Sequence, residues 1–262
     1  MTFSVTILGS NSAIPTLSRN PSAHLVNLNE RIFLVDCAEG TQLQLRKYKI
    51  HFQRIKHIMI SHLHGDHYFG LIGLLTSLHL LGRKDELHLY APAGLEEIIQ
   101  LQLDVSTTTL NYPLLFHPLV SGRLEPVFED ERLTVHSFPL LHSIPTFGFV
   151  FREKIKVRKI AEKRSYAYCS DTAYDERIIP FVSGVDLLYH ETTFMQDRAA
   201  SAADKLHSTT IEAATIARKS KVKKLLIGHF SARYDDLIPL LEEARSVFPE
   251  TFLAEDGATM HV

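Results

Sequence analysis

The chain has 262 residues, of which 45% are hydrophobic and 22% are charged, and its formal net charge is −2 at pH 7. This composition is typical of a globular protein with one sizeable core, and it excludes a surface that is basic throughout, so an anionic partner must meet a local basic patch. The two cysteines, Cys37 and Cys169, are far apart in the sequence, which excludes a disulfide framework and predicts a cytoplasmic location. Because the chain has no long apolar run, we expect no signal peptide and no membrane span.

The first half of the chain is predicted to begin with strands. Apolar and polar residues alternate over residues 3–9, and residues 23–27 and 31–35 flank a short polar turn, which predicts a strand followed by a hairpin. Residues 68–81 are apolar on nearly every side, which predicts a buried helix. The other predicted elements of this half are a helix around residues 43–48, an apolar strand at 55–60, a short strand at 87–91 and a helix at 93–103.

The second half is also predicted to mix strands and helices. Residues 209–220 and 237–247 have the periodicity of amphipathic helices, and Ser208 is a candidate N-cap for the first of them. Short apolar segments separated by polar turns predict the strands. These strands are residues 133–141, 146–151, 165–170, 185–189 and 224–227.

One stretch, residues 61–67, has the composition of a metal site. His62, His64, Asp66 and His67 follow directly on the apolar run 55–60. Two histidines that are two residues apart at a strand end can point at one ion, and the two residues beyond the turn can bind a second ion beside it. Imidazole and carboxylate are ordinary zinc ligands, and mixed sites that keep a position open are the catalytic kind. The alternative, a polar loop of surface histidines, is disfavoured by four ligand types at this spacing.

Other predicted strands also finish on residues that bind metals. His142, Asp171 and His229 each follow the end of an apolar strand, as His62 does. Loops at the ends of strands can converge on one site. Taken singly, each of these three residues could equally be an ordinary polar loop residue.

Together these residues resemble the metallo-β-lactamase superfamily, and within it the ribonuclease Z family of tRNA 3′-end processing endonucleases. Residues 62–67 match the superfamily motif. The narrower likeness lies in Leu8-Gly9-Ser10 with Pro15-Thr16 and Arg19-Asn20, and in residues 36–42, 190–194, 207–209 and 229–234. The resemblance implies an α/β fold, the four-layer αβ/βα sandwich of the metallo-β-lactamase type, as a single domain over residues 1–262.

The resemblance also implies a dinuclear metal site. A bridging carboxylate would offset the repulsion between two dications that lie about 3.5–4 Å apart. The expected cofactors are two Zn²⁺ ions per chain, and other divalent ions such as Mn²⁺ fit the same nitrogen and oxygen ligands. One ion would be held by His62, His64 and His142 and the other by Asp66, His67 and His229, with Asp171 as the bridge.

Catalytic roles follow from the same resemblance. Asp66 would orient a metal-bridging hydroxide that attacks phosphorus, and His207, held by Glu191, would protonate the leaving ribose oxygen. A helix cap or an exposed residue is the alternative for His207. Asp36 resembles the acid that supports the ligands in this family, and a turn former at a strand end is its alternative. His190 is expected to be structural.

The chain departs from the family pattern at two places. Family members carry a long flexible tRNA-binding arm, but here the corresponding interval, residues 152–165, is too short for one. Basic residues outnumber acidic ones there by seven to two over residues 152–164, which predicts a short basic hairpin able to meet phosphates, or merely a solvated edge. The second departure is Leu17, where the family often has a lysine.

The leading functional prediction is a dizinc phosphodiesterase that processes the 3′ end of precursor tRNA. The first alternative is an armless relative that hydrolyses small phosphodiesters or another ester on the same metals. The second is a non-catalytic RNA-binding or scaffold protein, which is disfavoured because all seven expected ligands are present. The resemblance also implies a homodimer, and no membrane partner is expected.

Overall fold

The computed structural model describes residues 2–120, 122–154 and 163–262, and these residues form two compact units. The first unit consists of Met1–Leu119 together with Glu255–His261, and the second consists of Val120–Ala254 with Val262. Within the described ranges, no helix is both long and apolar enough to span a membrane. Most of the predicted basic hairpin, residues 155–162, lies outside the described residues, so it stays a prediction.

The first unit is built on a mixed sheet, and its elements are numbered along the chain. The strands are β1 (Phe3–Gly9), β2 (Asn11–Ser12), β3 (Ala23–Leu28), β4 (Arg31–Val35), β5 (His57–Met59), β6 (Leu87–Ala91), β7 (Leu114–Pro118) and β16 (Thr259–His261). The helices are α1 (Thr41–Lys47), α2 (Gly65–Tyr68), α3 (Leu71–Leu80) and α4 (Leu95–Val105). The sheet order is β16-β1-β3-β4-β5-β6-β7, antiparallel from β16 to β4 and parallel from β4 to β7.

The predicted hairpin is confirmed as β3 and β4, which pair from His24 opposite Val35 to Leu28 opposite Arg31. Its two turn residues, Asn29 and Glu30, both have positive φ, at 50° and 70°. Two-residue hairpin turns favour this conformation because its twist matches that of the strands. The alternating pattern and the short polar turn were therefore sufficient to predict this element.

The helix predicted over residues 68–81 is confirmed over Leu71–Leu80, but its predicted start is wrong. The chain forms α2 and α3 instead, separated by Phe69 and Gly70. Gly70 donates its amide to the Cys37 carbonyl, and a Cβ at this position would lie 2.0 Å from the Ala38 carbonyl oxygen. Nor is α3 buried all round, because Leu80 is 80% exposed. Its buried side chains are Leu71, Leu74, Leu75 and Leu78.

The core of the first unit lies where α1, α3 and α4 pack against the sheet. Leu45, Leu74 and Ile99 from these helices are fully or almost fully buried in one apolar cluster with Leu34 and Ile58 from the sheet. Burying a side chain of this size contributes roughly 1.5–3 kcal/mol. This packing fixes the parallel strands whose ends carry the first group of candidate ligands.

The second unit is built on another mixed sheet. Its strands are β8 (Glu125–Glu129), β9 (Leu133–Leu140), β10 (Thr146–Glu153), β11 (Ser165–Cys169), β12 (Leu187–Glu191), β13 (Lys224–Gly228), β14 (Phe230–Ser231) and β15 (Thr251–Leu253). Its helices are α5 (Ile179–Val182), α6 (Ala199–Lys205), α7 (Thr210–Lys219) and α8 (Ile238–Arg245). The sheet order is β15-β13-β12-β11-β10-β9-β8, antiparallel from β8 to β11 and parallel from β11 to β15.

The N-cap of helix α7 lies one residue later than predicted. Thr209, not Ser208, is the N-cap: its hydroxyl accepts the Glu212 amide, and the Glu212 side chain accepts the Thr209 amide. This reciprocal pair satisfies two of the free amides at a helix start. Ser208 is instead committed elsewhere, because its hydroxyl donates to the Thr172 carbonyl at 2.7 Å.

Strand directions in the second unit bring candidate site residues to one edge. Strands β11, β12 and β13 are parallel neighbours, and β9 runs in their direction because it is antiparallel to β10, which is antiparallel to β11. Asp171, Glu191 and His229 lie at or just after the ends of the three parallel strands, and His142 lies just after β9. These four side chains therefore come from the same edge of one sheet.

The close approach at Gly70 gives a stability prediction. Gly70→Ala should lower the free energy of unfolding by about 1–3 kcal/mol, because the added methyl group would overlap a backbone carbonyl. Gly73→Ala is the matched control in α3, where the nearest atom to a new Cβ is Gln42 Oε1 at 3.4 Å. The control should be neutral or stabilising, since alanine favours a helix interior. Denaturant unfolding of both variants measures the difference, and equal stabilities would contradict this packing.

Candidate metal centre

The first unit carries the first donor set, defined as His62, His64, Asp66 and His67. It occupies the loop after β5 and the start of α2. His62 Nε2 lies 3.2 Å from His64 Nδ1. Tetrahedral zinc with bonds of about 2.0–2.1 Å to nitrogen sets two ligand atoms about 3.3 Å apart. The spacing of this pair therefore suits two ligands of one ion.

Asp36 fixes the orientation of His67. This carboxylate is fully buried at the end of β4 and accepts the Ser61 amide at 2.7 Å and the Ser61 hydroxyl at 2.9 Å. It also lies 2.8 Å from His67 Nδ1. Because an ionised carboxylate can only accept, His67 carries its proton on Nδ1 and turns Nε2 toward Asp66, whose Oδ2 is 3.6 Å away. Such a partner holds a ligating imidazole in the required tautomer.

The second unit carries the second donor set, defined as His142, Asp171 and His229. All three side chains are almost completely buried. Asp171 Oδ1 lies 3.2 Å from His229 Nε2, and Asp171 Oδ2 lies 3.8 Å from His142 Nε2. The two oxygens of one carboxylate thus face two different imidazoles, which is the arrangement that a carboxylate bridging two metal ions requires.

Backbone contacts hold His142 beside Asp171. Leu141 donates its amide to the Thr172 hydroxyl at 3.1 Å, and its carbonyl accepts the Ala173 amide at 2.8 Å. The loop after β9 is thereby tied to the loop after β11. These backbone bonds help to fix the spacing between the His142 and Asp171 side chains.

His142 and His229 have fixed tautomers, as His67 has. His142 Nδ1 donates to the Leu206 carbonyl at 2.9 Å. Thr193 Oγ1 donates to Glu191 at 2.9 Å, so at its 2.9 Å contact with His229 Nδ1 it must accept. In both residues Nε2 is therefore the nitrogen with a lone pair, and in both it is the atom that faces Asp171.

His207 lies with the second donor set. The ligand atoms of Asp171, His207 and His229 are all within 4.8 Å of one another. His207 Nδ1 is 2.9 Å from Glu191 Oε1, and 14% of its side chain is exposed. The ring can therefore reach both the metal ligands and solvent, which a group that transfers a proton to a substrate needs.

Glu191 is a fully buried carboxylate at the end of β12. It accepts the Thr172 amide at 3.2 Å, the Thr193 amide at 2.8 Å and the Ser208 amide at 3.0 Å, besides the Thr193 hydroxyl. Burial raises its pKa, but the charge and hydrogen bond of His207 outweigh burial, so the pKa lies below its usual value. Glu191 is therefore ionised at neutral pH and stabilises a protonated His207.

The groups that orient the ligands were largely missed by sequence reasoning. Thr193, Ser61 and the Leu206 carbonyl each contact a histidine or the acid that holds it. Thr193 stands two residues after Glu191, and a hydroxyl next to a strand-end acid is the one sequence signal that could have indicated it. The Leu206 contact is made by backbone, so its side chain gives no signal.

A cavity of about 320 Å³ lies beside the first donor set within the first unit. Asp66 borders it, and the Asp66 Oδ2 atom accepts the Ala13 amide at 2.8 Å. Phe69, at 63% exposure, borders the same cavity. The other lining residues are Ala13, Pro21, Glu39 and Gly65.

The profile of the family described as "Beta-lactamase superfamily domain" matches residues 31–230. Two further matches share only the fold: YhfI from Bacillus subtilis, with a TM-score of 0.81 and 22% identity over the whole of both chains, and a diphosphatase from the PhnP family, with a TM-score of 0.74 and 20% identity over 99% of this chain and 98% of that one. The fold and the histidine and aspartate donors define a metal-dependent hydrolase of the metallo-β-lactamase type, which confirms the predicted α/β fold class.

Closer relatives are of one kind. Ribonuclease Z of Bacteroides fragilis is 41% identical over 97% of each chain, and ribonuclease Z of Phocaeicola vulgatus is 42% identical over 97% of this chain and 96% of its own. The human short-form tRNase Z has 33% identity and a TM-score of 0.85 over 98% of both chains. The chain belongs to the ribonuclease Z family and is an endoribonuclease, as the sequence resemblance predicted.

Thr193 provides a test of how the ligands are oriented. Thr193→Val keeps the shape but leaves the Nδ1 proton of His229 without its acceptor, and it should weaken divalent-metal affinity about 10–100-fold. Thr193→Ser keeps the hydroxyl and should stay close to wild type. Competition with a chromogenic chelator measures the metal affinity of both variants. A valine variant that binds metal as tightly as the serine variant would show that this hydroxyl does not orient His229.

Proposed function

We propose that this chain is a dizinc endoribonuclease that removes the 3′ extension of precursor tRNA. The observation that carries the proposal is the Asp171 carboxylate, whose two oxygens face the Nε2 atoms of His142 and His229. The names of the relatives supply the substrate: the family members at about 40% identity are ribonuclease Z enzymes, and the human neighbour is a tRNase Z.

The proposed ligands are those that the family resemblance implies. Fixed tautomers of His67, His142 and His229 support the assignment, as does the spacing of His62 and His64. Two bound ions supply Lewis-acid stabilisation of the negative charge that develops on phosphate during cleavage. In this proposal one ion would be held by His62, His64 and His142 and the other by Asp66, His67 and His229, and Asp171 would contribute to both.

Side chains of this protein would transfer the proton and orient the water. His207 is placed to give a proton from Nε2 to the leaving ribose oxygen, while its Nδ1 hydrogen bond to ionised Glu191 stabilises the charged ring. Asp66, fixed through its Oδ2 by the Ala13 amide, orients the attacking water. A bond forms from the water oxygen to phosphorus as the bond from phosphorus to the ribose oxygen breaks, and the water releases one proton to the solvent. The ribose oxygen takes the His207 proton and becomes a hydroxyl, and the phosphate stays on the other RNA fragment.

Three of the seven basic side chains of residues 152–164 are engaged within the second unit. Arg152 Nη2 donates to the Phe181 carbonyl at 2.9 Å, Lys154 pairs with Glu129, and Arg164 pairs with Glu153 at 3.0 Å. Phosphate contact in this segment is therefore proposed for the other four basic residues, which are the exposed Lys163 and the three within 155–162.

A second candidate function, hydrolysis of small phosphodiesters, is favoured by two observations. The interval in place of the arm is short, and the alignment with the Bacteroides fragilis relative spans 296 positions, so that relative carries residues that this chain lacks. Leu17, where the family often has lysine, is fully exposed. Both features reduce the surface available to tRNA and leave the donor sets intact.

Cleavage of a 3′-extended precursor tRNA by the zinc-loaded protein separates the two functions, with bis-p-nitrophenyl phosphate as a parallel substrate. The proposal predicts a single cut after the discriminator base, and the Asp66→Ala variant should cut neither substrate. Turnover of the small diester without any cutting of tRNA would favour the second function. No turnover of either substrate by the wild-type protein would contradict both.

Two substitutions distinguish metal binding from proton transfer. Asp171→Ala should lose both metal and activity, because it removes the proposed bridge. His207→Ala should keep its metal and lose about 10²–10⁴-fold in kcat, the usual contribution of a general acid. Metal analysis after gel filtration and single-turnover kinetics give the two readouts. A His207→Ala variant with wild-type turnover would exclude the acid role.

The proposal extends to a homodimer in the cytoplasm. Leu80 and Leu81 at the end of α3 are 80% and 59% exposed, and they are candidates for a contact between two copies. Cys37 and Cys169 are buried free thiols, which fits a compartment without disulfide formation. Light scattering of the purified chain, with Leu80→Glu beside it, measures the oligomeric state.

A further inference from the structure

The loop of residues 10–21 in the first unit carries a donor to Asp66. The Ala13 amide lies 2.8 Å from Asp66 Oδ2. Ala13 has a φ of 56°, a conformation that side-chain-bearing residues rarely adopt. The surrounding structure must therefore hold this residue in place, or the amide would turn away from the carboxylate.

Hydrogen bonds within the loop make it a closed unit. The Asn11 amide donates to the Asn20 carbonyl at 2.9 Å, and the Thr16 amide donates to the Arg19 carbonyl at 2.9 Å. Arg19 Nε donates to Asn11 Oδ1 at 2.9 Å. These bonds join the two sides of the loop, so contacts at its two ends bear on the position of Ala13.

One carboxylate near the end of the chain holds both ends. Asp256 Oδ1 accepts the Ser10 hydroxyl at 2.8 Å. Its Oδ2 accepts the Asn20 amide at 2.8 Å, the Asn20 side chain at 3.0 Å and the Gln44 side chain at 3.2 Å. Ser10 is fully buried and Gln44 almost so, which strengthens these bonds by excluding water.

Asp256 is itself fixed to the sheet. The Gly257 amide donates to the Ile7 carbonyl at 2.7 Å, and the Ile7 amide donates to the Ala258 carbonyl at 3.0 Å. Tyr48 also donates its hydroxyl to the Asp256 carbonyl at 2.9 Å. The carboxylate is therefore a rigid anchor on β1 rather than a mobile surface group.

We propose that Asp256 is a positioning residue for Asp66, acting through the loop and the Ala13 amide. This inference rests on the proposed function, in which Asp66 binds metal and orients water. Asp256 lies outside residues 31–230, which match the family profile, and outside the segments that carry the resemblance. Without the carboxylate, both loop ends lose their acceptor, the amide leaves Asp66, and Asp66 binds metal less tightly.

The test compares Asp256→Ala with Glu255→Ala, which removes the same charge from the exposed neighbouring side chain. Asp256→Ala should weaken zinc affinity for one of two ions about tenfold or more, measured by chelator competition, and lower kcat on bis-p-nitrophenyl phosphate similarly. Glu255→Ala should match wild type. Asp256→Asn should recover most of the zinc affinity and most of kcat, because the asparagine oxygen can accept from Asn20 and its amide can donate to Ser10 Oγ.

A lower melting temperature for Asp256→Ala with unchanged zinc affinity and kcat would overturn the inference and leave only a structural role. If Asp256→Ala does not fold, Ser10→Ala removes one donor to the same carboxylate and should show a smaller loss in zinc affinity. Wild-type zinc affinity in Ser10→Ala would also overturn the inference.

Wild-type protein that bound no zinc would overturn the proposed function and this inference together. If the wild type binds two zinc ions, the zinc affinities of the variants decide the inference.

Discussion

A neutral imidazole can bind a metal ion through only one nitrogen, and the proton must stay on the other. The arrangement of this chain's donors depends on that constraint. Asp36, the Leu206 carbonyl and Thr193 each accept from Nδ1 of a different histidine and leave the lone pair on Nε2. The acceptors come from a strand end, a helix C-terminus and a loop, so the fold around the candidate ligands fixes their tautomers.

Burying the carboxylates that orient the histidines costs free energy, which the local hydrogen bonds offset. Asp36 and Glu191 are fully buried carboxylates, and an isolated buried charge is strongly destabilising. Each is surrounded by donors: Asp36 by Ser61 and His67, and Glu191 by backbone amides, a hydroxyl and His207. Removing either acid would therefore disturb its histidine and also leave several donors buried without an acceptor.

The elements that sequence reasoning predicted correctly are those set by local pattern. Alternation of apolar and polar residues located β1 and the hairpin of β3 and β4, and the ends of strands located most of the candidate ligands. The H-x-H-x-D-H spacing is itself a local feature, so residues 62–67 could be predicted as candidate metal ligands from the sequence, and the ribonuclease Z family followed from short segments in a fixed order.

The errors and omissions are contacts between distant segments. The break between α2 and α3 occurs because the Ala38 carbonyl approaches Gly70, which the periodicity of residues 68–81 does not encode. Thr209 caps α7 because Ser208 is held by Thr172, 36 residues away. Asp256 and Thr193 likewise contact residues that are far away in the sequence, since Asp256 accepts from Ser10 and Asn20 and Thr193 contacts His229.

Asp171 is proposed to bridge two metal ions through its two oxygens. A crystal structure of the zinc-loaded protein with anomalous scattering at the zinc edge tests this bridge. We expect two zinc peaks about 3.5–4 Å apart, with one Asp171 oxygen on each. A single peak, or two peaks with Asp171 bound to only one of them, would contradict it.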